Sequence, residues 1–313
     1  MARILLGKEV TAAYDEWVAK SCAELKKRGV YPKLAILRCG ERKEDLAYER
    51  GALKKAEAVG VDFELSVFPE SVSADALMAK LRDLNENPEV HGVLLFRPLP
   101  ASLRAKENRI LNTLRPEKDI DCMTNLSNAG VYAGKALGFP PCTAEAVLAT
   151  LDHYGIEPEG KRAVVIGRSL VIGKPVAMLL LGRNATVTIC HTRTANIREI
   201  TRQADLIVTA AGCRGSLDAG FVRPGQVVID VSTNYDPDKN DGKGGITGDA
   251  VFDEVADIVE AITPVPRGIG AVTTSVMIGN VVEAAIRAYE AGTKAEAQFL
   301  RQQKRPGTGW GGA

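Results

Sequence analysis

Short apolar runs separated by helical stretches recur along this chain, and that alternation limits its possible folds more than any other feature. The runs at 33–39 (KLAILRC), 63–68 (FELSVF) and 90–96 (VHGVLLF) have the length and side chains of strands. Helical patterns at 43–60, 73–86 and 101–114 follow them. A strand that returns to its sheet through a helix lies parallel to its neighbour, so the series predicts a parallel sheet with helices on its faces. A second series has strand candidates at 162–167 (RAVVIG), 185–191 (ATVTICH), 204–211 (ADLIVTAA) and 226–231 (QVVIDV), and a helical pattern at 273–292 comes last. The stretch 125–146 between the two series is rich in Gly, Asn, Pro and Ser, and it reads as a boundary with Thr143 capping a new helix. The expected fold class is α/β in two domains, 1–124 and 140–272, followed by a flexible Gly-rich tail over 299–313.

Composition narrows the function. The 313 residues carry 40 Lys+Arg against 39 Asp+Glu, and this balance argues against a dedicated nucleic-acid binder. No apolar run approaches the roughly 20 residues that span a bilayer, and the start MARILLGKEV is too short a stretch for a signal peptide. Six scattered cysteines without a C-x-x-C suggest neither a zinc site nor a redox pair. The expectation is a cytoplasmic protein with no metal, no membrane and no nucleic-acid partner.

The segment AVVIGRSLVIGKPVAMLLL (163–181) runs strand, glycine turn, helix. Gly167 ends the strand and Gly173 opens the helix, where exposed N–H groups can receive a pyrophosphate. The spacing departs from G-x-G-x-x-G, so on this motif alone a βα turn with sterically required glycines is an equal reading. The next strand adds to the case. NAD sites place an acid near its end, whereas this one ends CHTRT, with Thr192 and Arg193. Together with Arg168, these residues suit a 2′-phosphate and favour NADP over NAD. His91, His153 and His191 show no ligand spacing and read as packing or surface residues.

Five motifs in order, PEKDID (116–121), PPCTAEA (140–146), VVIGRSLVIGKPVA (164–177), TVTICHTRT (186–194) and ITPVPRGIGAVTTSVM (262–277), resemble the FolD family of methylenetetrahydrofolate dehydrogenase/methenyltetrahydrofolate cyclohydrolases. The resemblance implies an N-terminal folate-binding domain facing a Rossmann-like NADP-binding domain across an active-site cleft. It also implies a last helix, 273–298, that returns to the first domain, and homodimers. By the same resemblance, Tyr48 and Asp121 are active-site residues. Tyr48, Phe96, Pro98, Asp121, Pro264 and Gly268 contact folate. Gly167, Arg168, Ser169, Gly173, Thr192, Arg193 and Thr233 hold the cofactor.

Three positions depart from the family pattern. Ala52 stands where the family carries lysine, Phe96 where it carries glutamine, and Arg267 where it carries glycine. Hydride transfer from the methylene carbon needs positioning and electrostatics, whereas opening the methenyl ring with water benefits from a general acid–base group. Ala52 removes the family's leading candidate for that group. The expectation is therefore an NADP-dependent dehydrogenase whose cyclohydrolase step is weak or absent, with Asp121, Tyr48 or a displaced lysine, Lys54 or Lys55, as substitutes for the missing group. The small pair Gly51–Ala52 is expected to leave room beside Tyr48 for the folate ring. Other readings are a different two-domain NADP dehydrogenase, of shikimate type, and a non-catalytic folate- or nucleotide-binding homologue.

Overall fold

The structure, a computed structural model, describes residues 1–292 and Arg305, without the side chains of residues 241 and 242. The chain divides into two compact units. One is Ala13–Cys142 with the described part of Thr274–Arg305; the other is Met1–Ala12 with Thr143–Thr273. In chain order the first strands are β1 (Arg3–Ile4), β2 (Lys33–Cys39), β3 (Asp62–Phe68), β4 (Gly92–Leu95) and β5 (Arg162–Ile166). They are followed by β6 (Thr186–Cys190), β7 (Leu206–Thr209), β8 (Val227–Asp230), β9 (Asn234–Asp236), β10 (Gly245–Thr247) and β11 (Ala261–Ile262).

The first unit holds a three-stranded sheet, β3-β2-β4, and both pairings are parallel. β2 is central and buried along almost its whole length, as a strand covered on both faces requires. The helices Lys43–Val59 and Ala74–Glu86 provide the crossovers. Ser73 caps the second of these by accepting the Ala76 N–H, and Gly60, at φ 80°, closes the first in a left-handed C-cap. The expected helix at 101–114 is shorter than its pattern: a 3₁₀ segment Ala101–Lys106 leads into only Glu107–Leu111. The stretch read as a boundary is partly a helix, Asn125–Ala133, capped by the Thr124 hydroxyl and ended by Gly134. Glycine and asparagine there serve as helix punctuation. The following helix starts at Cys142, so Thr143 lies inside its first turn and does not cap it.

The second unit holds a six-stranded sheet in the order β1-β11-β8-β7-β5-β6, with every pairing parallel. The order reverses beside β5, and such a switch point opens a crevice at the carboxyl ends of the strands. β9 and β10 form a separate antiparallel hairpin. A core of Val164, Ile166, Ile207, Val228, Val255 and Ile262 fills one face.

Two long helices complete the picture. Gly7–Lys27 has no counterpart among the expected elements. Ile269–Gly292 is long and apolar enough by composition to cross a membrane, contrary to the sequence expectation, but it is largely buried as a core helix. Its expected continuation to 298 and most of the tail lie outside the described residues. Arg305 is the described residue of the expected tail. This arginine is buried, donates to the Tyr14 hydroxyl at 2.8 Å, and lies 5.7 Å from the Trp17 ring centroid.

Candidate functional site

In the three-stranded unit, the helix Lys43–Val59 is fixed in rotation by a buried ion pair. Arg38 on β2 donates to Glu49 at 2.8 Å. Burying such a pair is tolerable only with good geometry, and here it also sets which side chains face the sheet. The buried row is Asp45, Glu49, Ala52, Ala56 and Val59. Tyr48 therefore lies beside this row, with its ring edge-on to Phe96 at 5.8 Å between centroids. Its hydroxyl is 3.7 Å from Met277 Sδ.

Ala52 is 0% exposed, so it borders packed protein and not open space. The expected room for a folate ring beside Gly51–Ala52 is absent on the Ala52 side, and Gly51 faces outward. The two nearby lysines differ in their surroundings. Lys55 Nζ is bound to Asp15. Lys54 is exposed and makes no ion pair or hydrogen bond among the described residues.

Asp119 and Asp121 have separate tasks. Asp119 is fully buried and accepts the Met123 and Thr124 N–H groups, each at 2.8 Å, which makes it the clasp of a turn. Asp121 accepts the Cys142 N–H at 2.9 Å through Oδ1. Its Oδ2 faces Arg97 Nη2 at 4.0 Å. Burial pushes the Asp121 carboxyl above its usual range, while the Cys142 amide, the Cys142 thiol and the Arg97 charge pull it down. Burial, with the nearby Cys142 and Asp121, raises the Tyr48 phenol, against a hydrogen bond with Thr274. Tyr48 is therefore a protonated donor at neutral pH and a poor base. The sequence reading missed Arg97. Its signal was a charged residue inside FRPLP, directly after the buried strand β4. Pro98 follows through a cis peptide bond and is exposed.

The six-stranded unit brings the expected cofactor residues together. The Gly167 N–H donates to Cys190 O at 2.9 Å, which ties the end of β5 to the end of β6. Arg168 and Arg193 thus project from adjacent strand ends, both exposed and without an ion pair among the described residues. The wide glycine spacing has a steric cause. A Cβ on Gly173 would lie 2.4 Å from Gly167 O, and one on Gly167 would lie 2.4 Å from Ala210 O. The helix start is not the open anion cradle expected at Gly173. Ser169 Oγ accepts the Ile172 and Gly173 N–H groups, and Ser169 O accepts that of Lys174. The backbone N–H groups of Arg168, Ser169 and Leu170 have no partner among the described residues, so the loop preceding the helix provides the donors a pyrophosphate needs.

His191, a surface residue on the sequence reading, orders the other turn by accepting the Arg193 N–H at 3.1 Å. Thr192 and Thr233 are exposed at the ends of β6 and β8. Beneath them lies a buried residue that the sequence reading did not single out. Asp249 accepts from Thr209, Ser232, Asn234 and the Ala211 and Cys213 amides, and so fixes the ends of β7 and β8. His91 is a satisfied core histidine. Its Nδ1 accepts the Lys33 N–H, and burial lowers its pKa to about 4. Pro264 and Gly268 are buried in the loop after β11, where a Cβ on Gly268 would meet Pro264 O at 2.4 Å.

The comparisons with known proteins agree with this geometry. Residues 5–121 match the tetrahydrofolate dehydrogenase/cyclohydrolase catalytic domain, and residues 141–289 match the NAD(P)-binding domain of the same family. The chain belongs to the FolD family. It is 46% identical to the bifunctional protein FolD of Carboxydothermus hydrogenoformans, over 91% of this chain and 97% of that one. It is 44% identical to the FolD of Alkaliphilus oremlandii, over 91% and 97%. Among solved structures, the FolD dehydrogenase/cyclohydrolase of Campylobacter jejuni aligns with a TM-score of 0.86 at 34% identity, covering 92% of this chain and 99% of that one. The Trypanosoma brucei FolD, solved with NADP and an inhibitor, aligns with a TM-score of 0.84 at 34% identity, covering 92% and 98%. FolD membership confirms the two-domain α/β class and the NAD(P)-binding character of the six-stranded unit.

The Arg97–Asp121 contact gives a titration that can be measured without turnover. A raised carboxyl pKa means that the proton is held to higher pH, and Arg97 opposes this. Replacing Arg97 by Leu is expected to raise the Asp121 pKa further, because the nearby positive charge that favours the carboxylate is lost. The ¹³C carboxyl resonance of Asp121 should then titrate at higher pH in the variant. An unmoved midpoint contradicts the pairing.

Proposed function

We propose that this protein oxidises 5,10-methylenetetrahydrofolate to 5,10-methenyltetrahydrofolate with NADP, and that it opens the methenyl ring to 10-formyltetrahydrofolate slowly or not at all. The chemistry that bound NADP supplies is acceptance of the hydride that leaves the methylene carbon. Arg168, Ser169 and the backbone N–H groups of the 167–173 loop receive its phosphates. Arg193 and Thr192 take the 2′-phosphate, with Thr233 on a neighbouring strand end. Asp121 holds donor N–H groups of the pterin. Tyr48 and Phe96 present ring faces and edges to the folate, with Pro98, Pro264 and Gly268 as further contacts. Hydride departure requires no proton movement, so fixed side chains of this kind suffice.

The observation that carries the second half of the proposal is Ala52. It is fully buried, the Lys55 ammonium is bound to Asp15, and Lys54, six residues past Tyr48, lies on a different face of the helix. Water attack on the methenyl carbon needs a group that moves protons near neutral pH. Tyr48 holds its proton too firmly, and a guanidinium at Arg97 cannot give its proton up.

We also read the protein as a homodimer. β3 is an edge strand, and on it Phe63, Leu65 and Val67 are 43%, 40% and 50% exposed. An unpaired edge with an apolar row favours pairing with a second copy.

Three outcomes are expected. Methenyltetrahydrofolate absorbance should decay with enzyme at about 10²- to 10⁴-fold less than the rate a positioned general acid–base supports. Lys54→Ala should leave that decay as it is. Rapid decay that Lys54→Ala abolishes would overturn the mechanism. Replacing Arg193 by Ala should reduce the preference for NADP over NAD, and equal use of NAD by the native protein would refute the cofactor assignment. Leu65→Asp should convert dimer to monomer in sedimentation velocity at micromolar protein, and an unchanged sedimentation coefficient counts against the β3 interface.

A further inference from the structure

Arg267 adopts φ 82°, in the left-handed region that glycine occupies without strain. The surrounding backbone holds it there. The Gly7 N–H donates to Arg267 O at 2.8 Å, and a Cβ on Gly7 would lie 2.3 Å from Gly268 O. The loop thus imposes a glycine conformation on a residue that carries a long cationic side chain. Strain of this kind persists where the side chain brings something that glycine cannot.

The surroundings indicate what that is. Arg267, Pro264, Val265 and Pro266 form one wall of an open cavity of about 810 Å³ in the six-stranded unit. Two other cations line it, and both are engaged. Arg214 pairs with Asp236, and Lys239 donates to Ile246 O. Arg267 is exposed, and its side chain makes no ion pair or hydrogen bond among the described residues. Asp253 also lines the wall, so the cavity is not uniformly positive and an anion must lie on the Arg267 side.

We propose that Arg267 is an anion-binding residue of the substrate loop, and that its guanidinium pairs with a carboxylate of the folate's glutamate tail. This rests on the reading of the loop as a folate contact given above. A tetrahydrofolate carries its carboxylates on the glutamate, at the end of the molecule opposite the pterin. A planar guanidinium can bind a carboxylate through two parallel N–H donors. A glycine at position 267 would relax the backbone and lose that partner.

The test is Arg267→Gly, a variant that repairs the backbone, alongside Arg267→Lys. Arg267→Gly should unfold at a higher denaturant concentration than the native protein. At the same time, the KM for 5,10-methylenetetrahydrofolate should rise about three- to tenfold, as for a partly exposed charge pair, with kcat and the KM for NADP unchanged. Arg267→Lys should retain part of the folate affinity and gain no stability. A raised KM for NADP with an unchanged KM for folate would mean that the anion is a cofactor phosphate, and the carboxylate assignment would be wrong. A binding arm separates failure of this proposal from failure of the proposed reaction. Folic acid should bind the native protein more tightly than pteroic acid, which lacks the glutamate, and the difference should vanish in Arg267→Gly. Equal binding of the two by the native protein overturns the proposal whether or not the protein turns over folate.

Discussion

One junction in the three-stranded unit holds three distant parts of the chain together. The buried Asn280 amide donates to Ile120 O at 2.9 Å and reaches Cys142 Sγ at 3.6 Å. Cys142 Sγ itself donates to Ile120 O at 3.2 Å, and the Cys142 N–H donates to Asp121. The segment after β4, the start of the helix Cys142–His153 and the returning helix Ile269–Gly292 therefore meet around one carbonyl. Each donor here is buried, so breaking any one strands its partner at a cost of about 1–3 kcal/mol. Asp121 inherits its orientation from this network. The acceptor role proposed for it would then be a by-product of how the unit closes.

The six-stranded unit solves a similar problem with a carboxylate. Asp249 gathers five donors from the ends of β7 and β8, where strand ends would otherwise leave amides unpaired. The 167–173 loop, by contrast, satisfies its helix start internally through Ser169 and leaves earlier N–H groups open. Donors already committed to the fold sit beneath donors left free for a ligand. This division explains why Gly173 matters through the side chain it lacks rather than through its N–H.

Much of this was legible in the sequence because the buried parallel strands β2, β4, β5, β7 and β8 are written as continuous apolar runs, and the edge strands β3 and β6 keep enough apolar and β-branched residues to stand out with them. The two shortest strands were not. β1 and β11 have two residues each; β1 pairs Arg3 with Ala261 and Ile4 with Ile262, and β11 pairs on its other side with β8, a register that no local pattern announces. The helix Gly7–Lys27 is a different case. Val10, Tyr14, Trp17, Val18, Ser21, Cys22 and Leu25 are buried at three- and four-residue spacing, so its period was present and went unread. Arg97 and Asp249 escaped because their roles depend on contacts far away in sequence. Asp121 and Tyr48 were found through family resemblance, not through any local signature.

The departures from the family pattern in the three-stranded unit form one coherent change. Phe96 packs edge-on to Tyr48, the Tyr48 hydroxyl lies 3.7 Å from the Met277 sulfur, and Ala52 is sealed within the helix's buried row. Each replaces or neighbours a place where a polar group would have to exchange protons. A lysine restored at position 52 alone would enter a buried row in which Glu49 is already committed to Arg38. It would bear the desolvation cost of a buried charge and either lose its proton or disturb the packing. The amide that a glutamine at position 96 could offer is missing as well. On the proposed function, proton-transfer capacity at this site is a property of several residues together, and positions 52 and 96 would have to change as a pair to supply it. Hydride transfer asks for none of this, so on that proposal the two halves of the family's chemistry separate on one scaffold without loss of the fold.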